Sequence, residues 1–189
     1  KINSIEFMGL SEDGSNVTGN KSKIMCDCLA ISGGWTPMVH MHTQSGGKLD
    51  FREIDQVFVP NEKTKNQINV GSCNGDFELE EIVKNTNNKI KKFLNVNETD
   101  FDRLSVLGSK EFEKKNIWLL PNTISEGKTK SFIDFQNDST AKDIKLALRE
   151  GFRSIEHVKR YTTTGMATDQ GKLSNMHALG IIADTAGVK

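Results

Sequence analysis

The chain has 189 residues, with 25 Lys and Arg against 25 Asp and Glu, which is enough for one large domain or two small ones. The charge balance argues against wholesale nucleic-acid binding and against a membrane-surface role. No apolar run approaches the ~20 residues of a membrane span, and no charged start followed by an apolar core reads as a signal peptide.

Lys1 at the start, without a methionine, and Val188-Lys189 soon after a helix read as cuts in a longer chain. The cysteines are Cys26, Cys28 and Cys73. Without a pairing pattern they fit a reducing compartment, so a cytoplasmic location is expected.

Residues 2–8 alternate as a strand, with Ile5 and Phe7 on one face and Glu6 and Met8 on the other. Asp13-Gly14 is a turn signal. Residues 23–31 are mostly apolar and end in Ser-Gly-Gly, which reads as a buried central strand. Cys26 and Cys28 then share one face as small core residues, and no further ligand at useful spacing makes them a metal site. Gly33 and Gly34 fall at the C-terminal end of this strand, the edge at which open α/β sheets bind ligands. His40 and His42 are too few for a metal, and a structural or tunnel-lining role is expected for them.

Val57–Pro60 and residues 67–70 read as short strands either side of a polar turn. The second leads into Gly71-Ser72-Cys73-Asn74-Gly75 and a helix starting at Asp76 or Phe77 and ending at Phe93, with Leu79, Ile82, Val83, Ile90 and Phe93 as its apolar stripe. Strand, Gly-x-x-x-Gly and helix bring backbone N–H groups and a helix dipole against a dinucleotide. The candidate dinucleotide contacts are Gly33, Gly34, Gly71, Ser72 and Gly75. A domain boundary is expected within residues 95–131. There Phe101, Leu104, Val106 and Leu107 need packing partners, and residues 117–121 read as an extended segment.

Ser139 or Thr140 begins the next helix, with Asp143 completing a capping-box pattern. Ile144, Leu146, Ala147 and Leu148 form its apolar side, and Gly151 ends it. Ser154 caps a short helix with Ile155, Val158 and Tyr161 on one face. Lys159 and Arg160 suit its C-terminal dipole, and Thr162, Thr163, Thr164 and Gly165 stop it. Ser174 or Asn175 caps a last helix through Ala178, Leu179, Ile182 and Ala183. The connecting loop combines hydroxyls, cations and a helix start, the makings of a phosphate site. A plain polar connection without a ligand fits the same residues.

Two stretches carry a family resemblance. Residues 132–183 run from Phe132-Ile133-Asp134-Phe135-Gln136 to Gly165-Met166-Ala167-Thr168-Asp169-Gln170-Gly171-Lys172. They resemble the small helical domain of the α subunits of heterotetrameric sarcosine oxidases. Ala30-Ile31-Ser32-Gly33-Gly34-Trp35-Thr36-Pro37, followed by Val39-His40-Met41-His42-Thr43-Gln44-Ser45, is similar to a linker in the same subunits. The implied fold is α/β: the C-terminal part of a disulfide-reductase-like two-lobed Rossmann domain over residues 1–95, a connecting segment over 96–130, and a helical domain over 131–189.

That helical domain is similar to the [2Fe–2S]-binding domain of bacterioferritin-associated ferredoxin. Alignment on its Gly-Met and Gln-Gly pairs puts Asp134, Gln136, Asp169 and Ser174 at the four cluster-cysteine positions. None is a thiolate, so no iron–sulfur cluster is expected.

The resemblance further implies a flavin-dependent complex that oxidises sarcosine to glycine with hydrogen peroxide as product. The methyl carbon leaves as formaldehyde or passes to tetrahydrofolate. Expected partners are a β subunit carrying FAD and small γ and δ subunits. FMN is expected at the α/β interface, its phosphate held by Lys159, Arg160, Thr162, Thr163, Thr168, Gln170 and Lys172. The dinucleotide is expected to be NAD. No residue reads as a nucleophile or general base; His157 and His177 are the conceivable candidates, and His157 reads rather as an ordinary helix-face histidine. The runner-up readings are the α subunit of a dye-linked proline, hydroxyproline or opine dehydrogenase, and a non-catalytic assembly module.

Overall fold

The computed structural model describes residues 1–61, 64, 66–98, 116–124 and 128–188. The chain is mixed α/β, with small two-stranded sheets and five α-helices among the described residues. It divides into two units: Lys1–Ala30 together with Ile117–Lys189, and Ile31–Asn116.

In the first unit, β1 (Ser4–Leu10) pairs antiparallel with β2 (Val17–Met25), from Ser4 opposite Met25 to Leu10 opposite Val17. The Asp13-Gly14 signal is realised as the turn between them. The Ser11 hydroxyl and then the Ser15 hydroxyl and amide bind the Asp13 carboxylate, holding its pKa down to about 2. Gly14 sits at φ +73, and an added Cβ there would lie 2.6 Å from Ile117 Cδ1.

β5 (Phe132–Asp134) pairs with β6 (Ser139–Thr140), and α3 (Ala141–Arg149), α4 (Ile155–Thr162) and α5 (Asn175–Ala186) follow. α3 starts where the pattern expects it. The Thr140 hydroxyl accepts from the Asp143 amide, while the Asp143 carboxylate accepts from the Thr140 amide at 2.8 Å, a closed capping box. α3 packs on both α4 and α5. Ile133, Ile144, Ala147, Leu148, Val158, Ala178, Ile181 and Ile182 are buried in one core, with Trp118, Leu119, Phe152 and Ile155 packed around it. Ile144 and Val158 are fully buried, positions where truncation to Ala ordinarily costs about 2–5 kcal/mol.

Residues 117–121 do not simply leave the fold. Trp118 lies on α5 so closely that a Cβ on Gly180 would fall 2.1 Å from its indole Cδ2. His177, one helical turn earlier, hydrogen-bonds the Trp118 carbonyl through Nε2. His177 is thus a docking residue for this segment.

In the second unit, α1 (His40–Gln44) precedes β3 (Leu49–Arg52), which pairs antiparallel with β4 (Val57–Pro60). A 3-10 turn, Gly71–Asn74, leads towards α2 (Leu79–Leu94), which ends at Asn95 in the left-handed region.

Two sequence expectations are corrected. Residues 23–31 are not a buried central strand. β2 ends at Met25, which is 72% exposed, and Ile31 is 79% exposed. Cys28 is exposed and Cys26 half-buried, so they are not core residues. The apolar letters belong partly to an exposed hairpin edge, and hydrophobicity alone cannot show which side a strand presents. Residues 67–70 form no strand; the Gln67 and Asn69 side chains instead join the hydrogen bonds around His42. Phe101, Leu104, Val106 and Leu107 lie outside the described residues.

Candidate functional site

The loop between α4 and α5 is held in shape by the β5–β6 connection. Four side chains of residues 134–139 bind successive points along residues 162–168. Ser139 Oγ donates to Thr162 O at 2.6 Å, and Asn137 Nδ2 donates to Thr163 O at 2.8 Å. The Asp134 carboxylate accepts from the Gly165 amide at 2.7 Å. Gln136 Oε1 accepts from the Thr168 amide at 3.2 Å and its hydroxyl at 2.6 Å. Most of these bonds end on main-chain atoms, so they fix the path of the loop.

Asp134 is the centre of this bracing. It is 4% exposed, and its other oxygen accepts from the amides of Gln136 and Asn137. Burial pushes its pKa up, but the backbone N–H of Gly165, then those of Asn137 and Gln136, outweigh it and hold the carboxyl below its ordinary value.

Of the other three positions aligned with cluster cysteines, the side chains of Gln136 and Asp169 are engaged and that of Ser174 is not. Gln136 grips Thr168. Asp169 accepts from the amides of Gly171 and Leu173, each at 3.2 Å. Ser174 is the N-cap residue of α5 and is fully buried, and its hydroxyl makes no side-chain cap. Among the described residues, Ser174 Oγ and Asn175 Oδ1 are buried without a hydrogen-bond partner. The Asn175 amide lies between Gly165 and Gly171, where added Cβ atoms would fall 2.0 Å from Oδ1 and 2.1 Å from Nδ2. Both glycines also have positive φ.

The sequence-predicted phosphate residues divide into two groups. Thr162 Oγ1 donates to Val158 O at 2.8 Å, Thr163 Oγ1 to Thr162 O at 2.7 Å, and Thr168 Oγ1 to Gln136. The Gln170 side chain turns back to Ala167 O at 3.4 Å. These donors are engaged in building the loop. The cations differ: Arg160 and Lys172 are exposed, and Lys159 makes only a 3.8 Å pair with Glu156. The fit to a phosphate is therefore one of charge on a pre-shaped loop rather than of free hydroxyls.

In the second unit, Gly71 and Gly75 both lie at positive φ, bracketing Ser72 in the 3-10 turn. The Gly75 amide donates to Ser72 O and that of Asp76 to Gly71 O, while the leading amides of such a turn have no helical partner. Gly34 is also at positive φ, and added Cβ atoms on Gly33 and Gly34 would meet nothing within 4 Å.

His42 is 1% exposed; its Nε2 is 2.9 Å from Lys48 O and its Nδ1 3.1 Å from Asn69 Nδ2. Both nitrogens are engaged, which is a structural role. Among the described residues, no three His, Cys, Asp or Glu side chains gather as a metal site, and no helix is long and apolar enough to cross a membrane.

Sequence reasoning missed the bracing role of Ser139, Asn137 and Asp134. The usable signal was the run of short polar side chains after an apolar strand, residues suited to bonding nearby backbone.

Residues 128–189 match the family model described as the sarcosine oxidase A3 domain. The braced helical region therefore belongs to a domain family defined in sarcosine oxidases. Beyond it, the chain is similar to the sarcosine oxidase subunit alpha of Corynebacterium sp. (strain P-1), 32% identical over 178 residues and 90% of this chain. It is also similar to the sarcosine oxidase subunit alpha of Corynebacterium sp. (strain U-96), at 30% over the same share, and to that of Rhizobium meliloti (strain 1021), at 34% over 174 residues. The resemblance read from the sequence holds, and it extends across both units. The chain spans 17–18% of the length of these relatives.

Proposed function

We propose that the chain is part of the α subunit of a sarcosine oxidase complex, which converts sarcosine, oxygen and water to glycine, formaldehyde and hydrogen peroxide, or passes the methyl carbon to tetrahydrofolate. The relatives' names support the complex; the observation that carries this chain's own share is the loop braced along residues 162–168, with Arg160 before it and Lys172 after it exposed and Lys159 partly buried. In this reading the chain binds rather than reacts. The flavin supplies the redox chemistry when bound.

Lys159, Arg160 and Lys172 provide positive charge for the phosphate of an FMN at the interface with the β subunit. Thr162, Thr163, Thr168 and Gln170 fix the loop that presents it. In the second unit, Gly71, Ser72 and Gly75, with Gly33 and Gly34, contact NAD. The division into a partial two-lobed Rossmann domain (1–95), a connecting segment (96–130) and a cluster-free helical domain (131–189) belongs to the same proposal. So do a β subunit carrying FAD, small γ and δ subunits, and a cytoplasmic location.

The test uses the full-length gene co-expressed with its neighbouring subunit genes. Sarcosine-dependent oxygen uptake and peroxide are measured beside flavin content, in wild type and in Lys159→Ala/Lys172→Ala. Peroxide from the wild type and loss of FMN from the variant are expected. Dye reduction without peroxide, or a preference for proline or an opine, replaces the oxidase with a dehydrogenase. Unchanged FMN in the variant leaves the loop as scaffold.

A further inference from the structure

We propose that Arg52 is the positioning residue for the Gly71–Gly75 turn, setting its shape for the nucleotide; this rests on the dinucleotide reading above. Arg52 is the last residue of β3. Its Nε donates to Asp55 Oδ1 at 2.8 Å, and its Nη2 donates to Asp55 Oδ2 at 2.5 Å and to Gly75 O at 2.7 Å. One guanidinium edge is thus locked by a carboxylate while the same edge holds the turn's closing carbonyl. Such a planar fork is specific to arginine, since lysine offers one point of charge.

The glycine is matched to this contact. Gly75 lies at φ +83, and an added Cβ would sit 2.6 Å from Arg52 Nη2 and 2.9 Å from Val59 Cγ1. Glycine at 75 is therefore favoured by the backbone conformation, and a methyl there would press the guanidinium out of its present place. With its carbonyl drawn towards Arg52, Gly75 closes the turn through its amide onto Ser72 O, so Arg52 fixes the C-terminal end of the turn that carries Gly71 and Ser72. The guanidinium is held charged chiefly by its hydrogen bonds to Asp55, against the opposing effect of burial.

The experiment uses the full complex, with NAD as probe in equilibrium dialysis and FMN content as the internal control. Arg52→Met is expected to weaken NAD at least tenfold with FMN unchanged. Arg52→Lys should recover only part of that loss, Asp55→Asn should fall between, and Gly75→Ala should reproduce Arg52→Met. Equal NAD affinity in Arg52→Met and wild type overturns the role of Arg52 while leaving the dinucleotide reading in place. Parallel loss of NAD, FMN and thermal stability in every variant also overturns it, by reducing Arg52 to a packing residue. Absence of NAD binding in the wild type overturns both.

Discussion

Asp134 and Gly165, 31 positions apart, meet through one hydrogen bond of 2.7 Å from the glycine amide to the aspartate carboxylate. That bond ties the end of β5 to the start of the loop between α4 and α5, inside a region with little solvent access. A charged acceptor of backbone N–H groups is among the stronger hydrogen-bonding arrangements, about 1.5–3 kcal/mol.

Asp134→Asn should therefore cost about 2 kcal/mol in urea unfolding. Asparagine keeps only one acceptor oxygen: turned to the amides of Gln136 and Asn137 it sets its NH2 against the Gly165 N–H, and turned to Gly165 it sets the NH2 against the other two. The sign with pH follows from the lowered pKa. The folded carboxyl titrates below the unfolded one, so its stabilisation is fully present above the unfolded value of about 4. It is lost as pH falls from there through the folded value. Wild type should lose stability over that window by more than Asp134→Asn does; equal acid sensitivity would rule out Asp134 as the titrating brace.

Gly165→Ala should destabilise the helical region by about 2 kcal/mol or more, combining positive-φ strain with overpacking against Asn175. Asn175→Ala removes the atoms that an alanine methyl would strike. In the double variant the two costs should not add, and a double-mutant cycle by chemical denaturation measures the coupling. Strict additivity would mean that the clash is absorbed elsewhere.

At Gly180 the usual sign is reversed. Alanine in place of a helical glycine ordinarily stabilises by about 1 kcal/mol. Here the methyl would enter the space of the Trp118 indole. Gly180→Ala should displace residues 117–120 and shift tryptophan emission to the red. The chain has two tryptophans, and Trp35 is already 80% exposed, so the change reports on Trp118. Unchanged emission with raised stability would contradict the docking.

His42 should carry a proton on Nε2, because the Lys48 O it faces only accepts; Nδ1 faces Asn69 Nδ2 at 3.1 Å. Ring ¹⁵N shifts test this directly. His42→Phe leaves Asn69 and the Lys48 carbonyl without this partner and should cost about 2 kcal/mol. It should also speed amide exchange at Gly47, whose N–H donates to His42 O; protection equal to wild type would show that the ring is dispensable.

Local signals with a mechanism were legible in the sequence. The Thr140–Asp143 capping box, the stop after Thr162 and the turn at Asp13-Gly14 all appear where residue chemistry puts them; α2 forms, but it begins at Leu79 rather than at Asp76 or Phe77, and Leu79 and Phe93 of its expected apolar stripe are exposed. Burial was less legible. Residues 23–31 look apolar enough for a core strand, yet Met25 and Ile31 face solvent. Pattern reports period and not partners. The candidate loop was located, but the jobs of its residues were not. The hydroxyls of Thr162, Thr163 and Thr168 read as donors to a ligand because the letters do not show which carbonyls lie within reach. Trp118 left no signal at all, since its partner is a glycine 62 positions later, defined by the absence of a side chain.

The brace at residues 134–139 has a consequence for what sequence change the loop tolerates. Three of its four reaches, from Ser139, Asn137 and Asp134, end on Thr162 O, Thr163 O and Gly165 N. Every amino acid supplies a carbonyl, and all but proline supply an N–H. At these three contacts specification is one-sided: the strand connection must spell out its polar letters, while the loop answers with main-chain atoms. The brace therefore places no demand on the side chains of residues 162, 163 and 165, and what restricts the letters there comes from inside the loop itself: the hydroxyl bonds of Thr162 and Thr163 and the positive φ of Gly165.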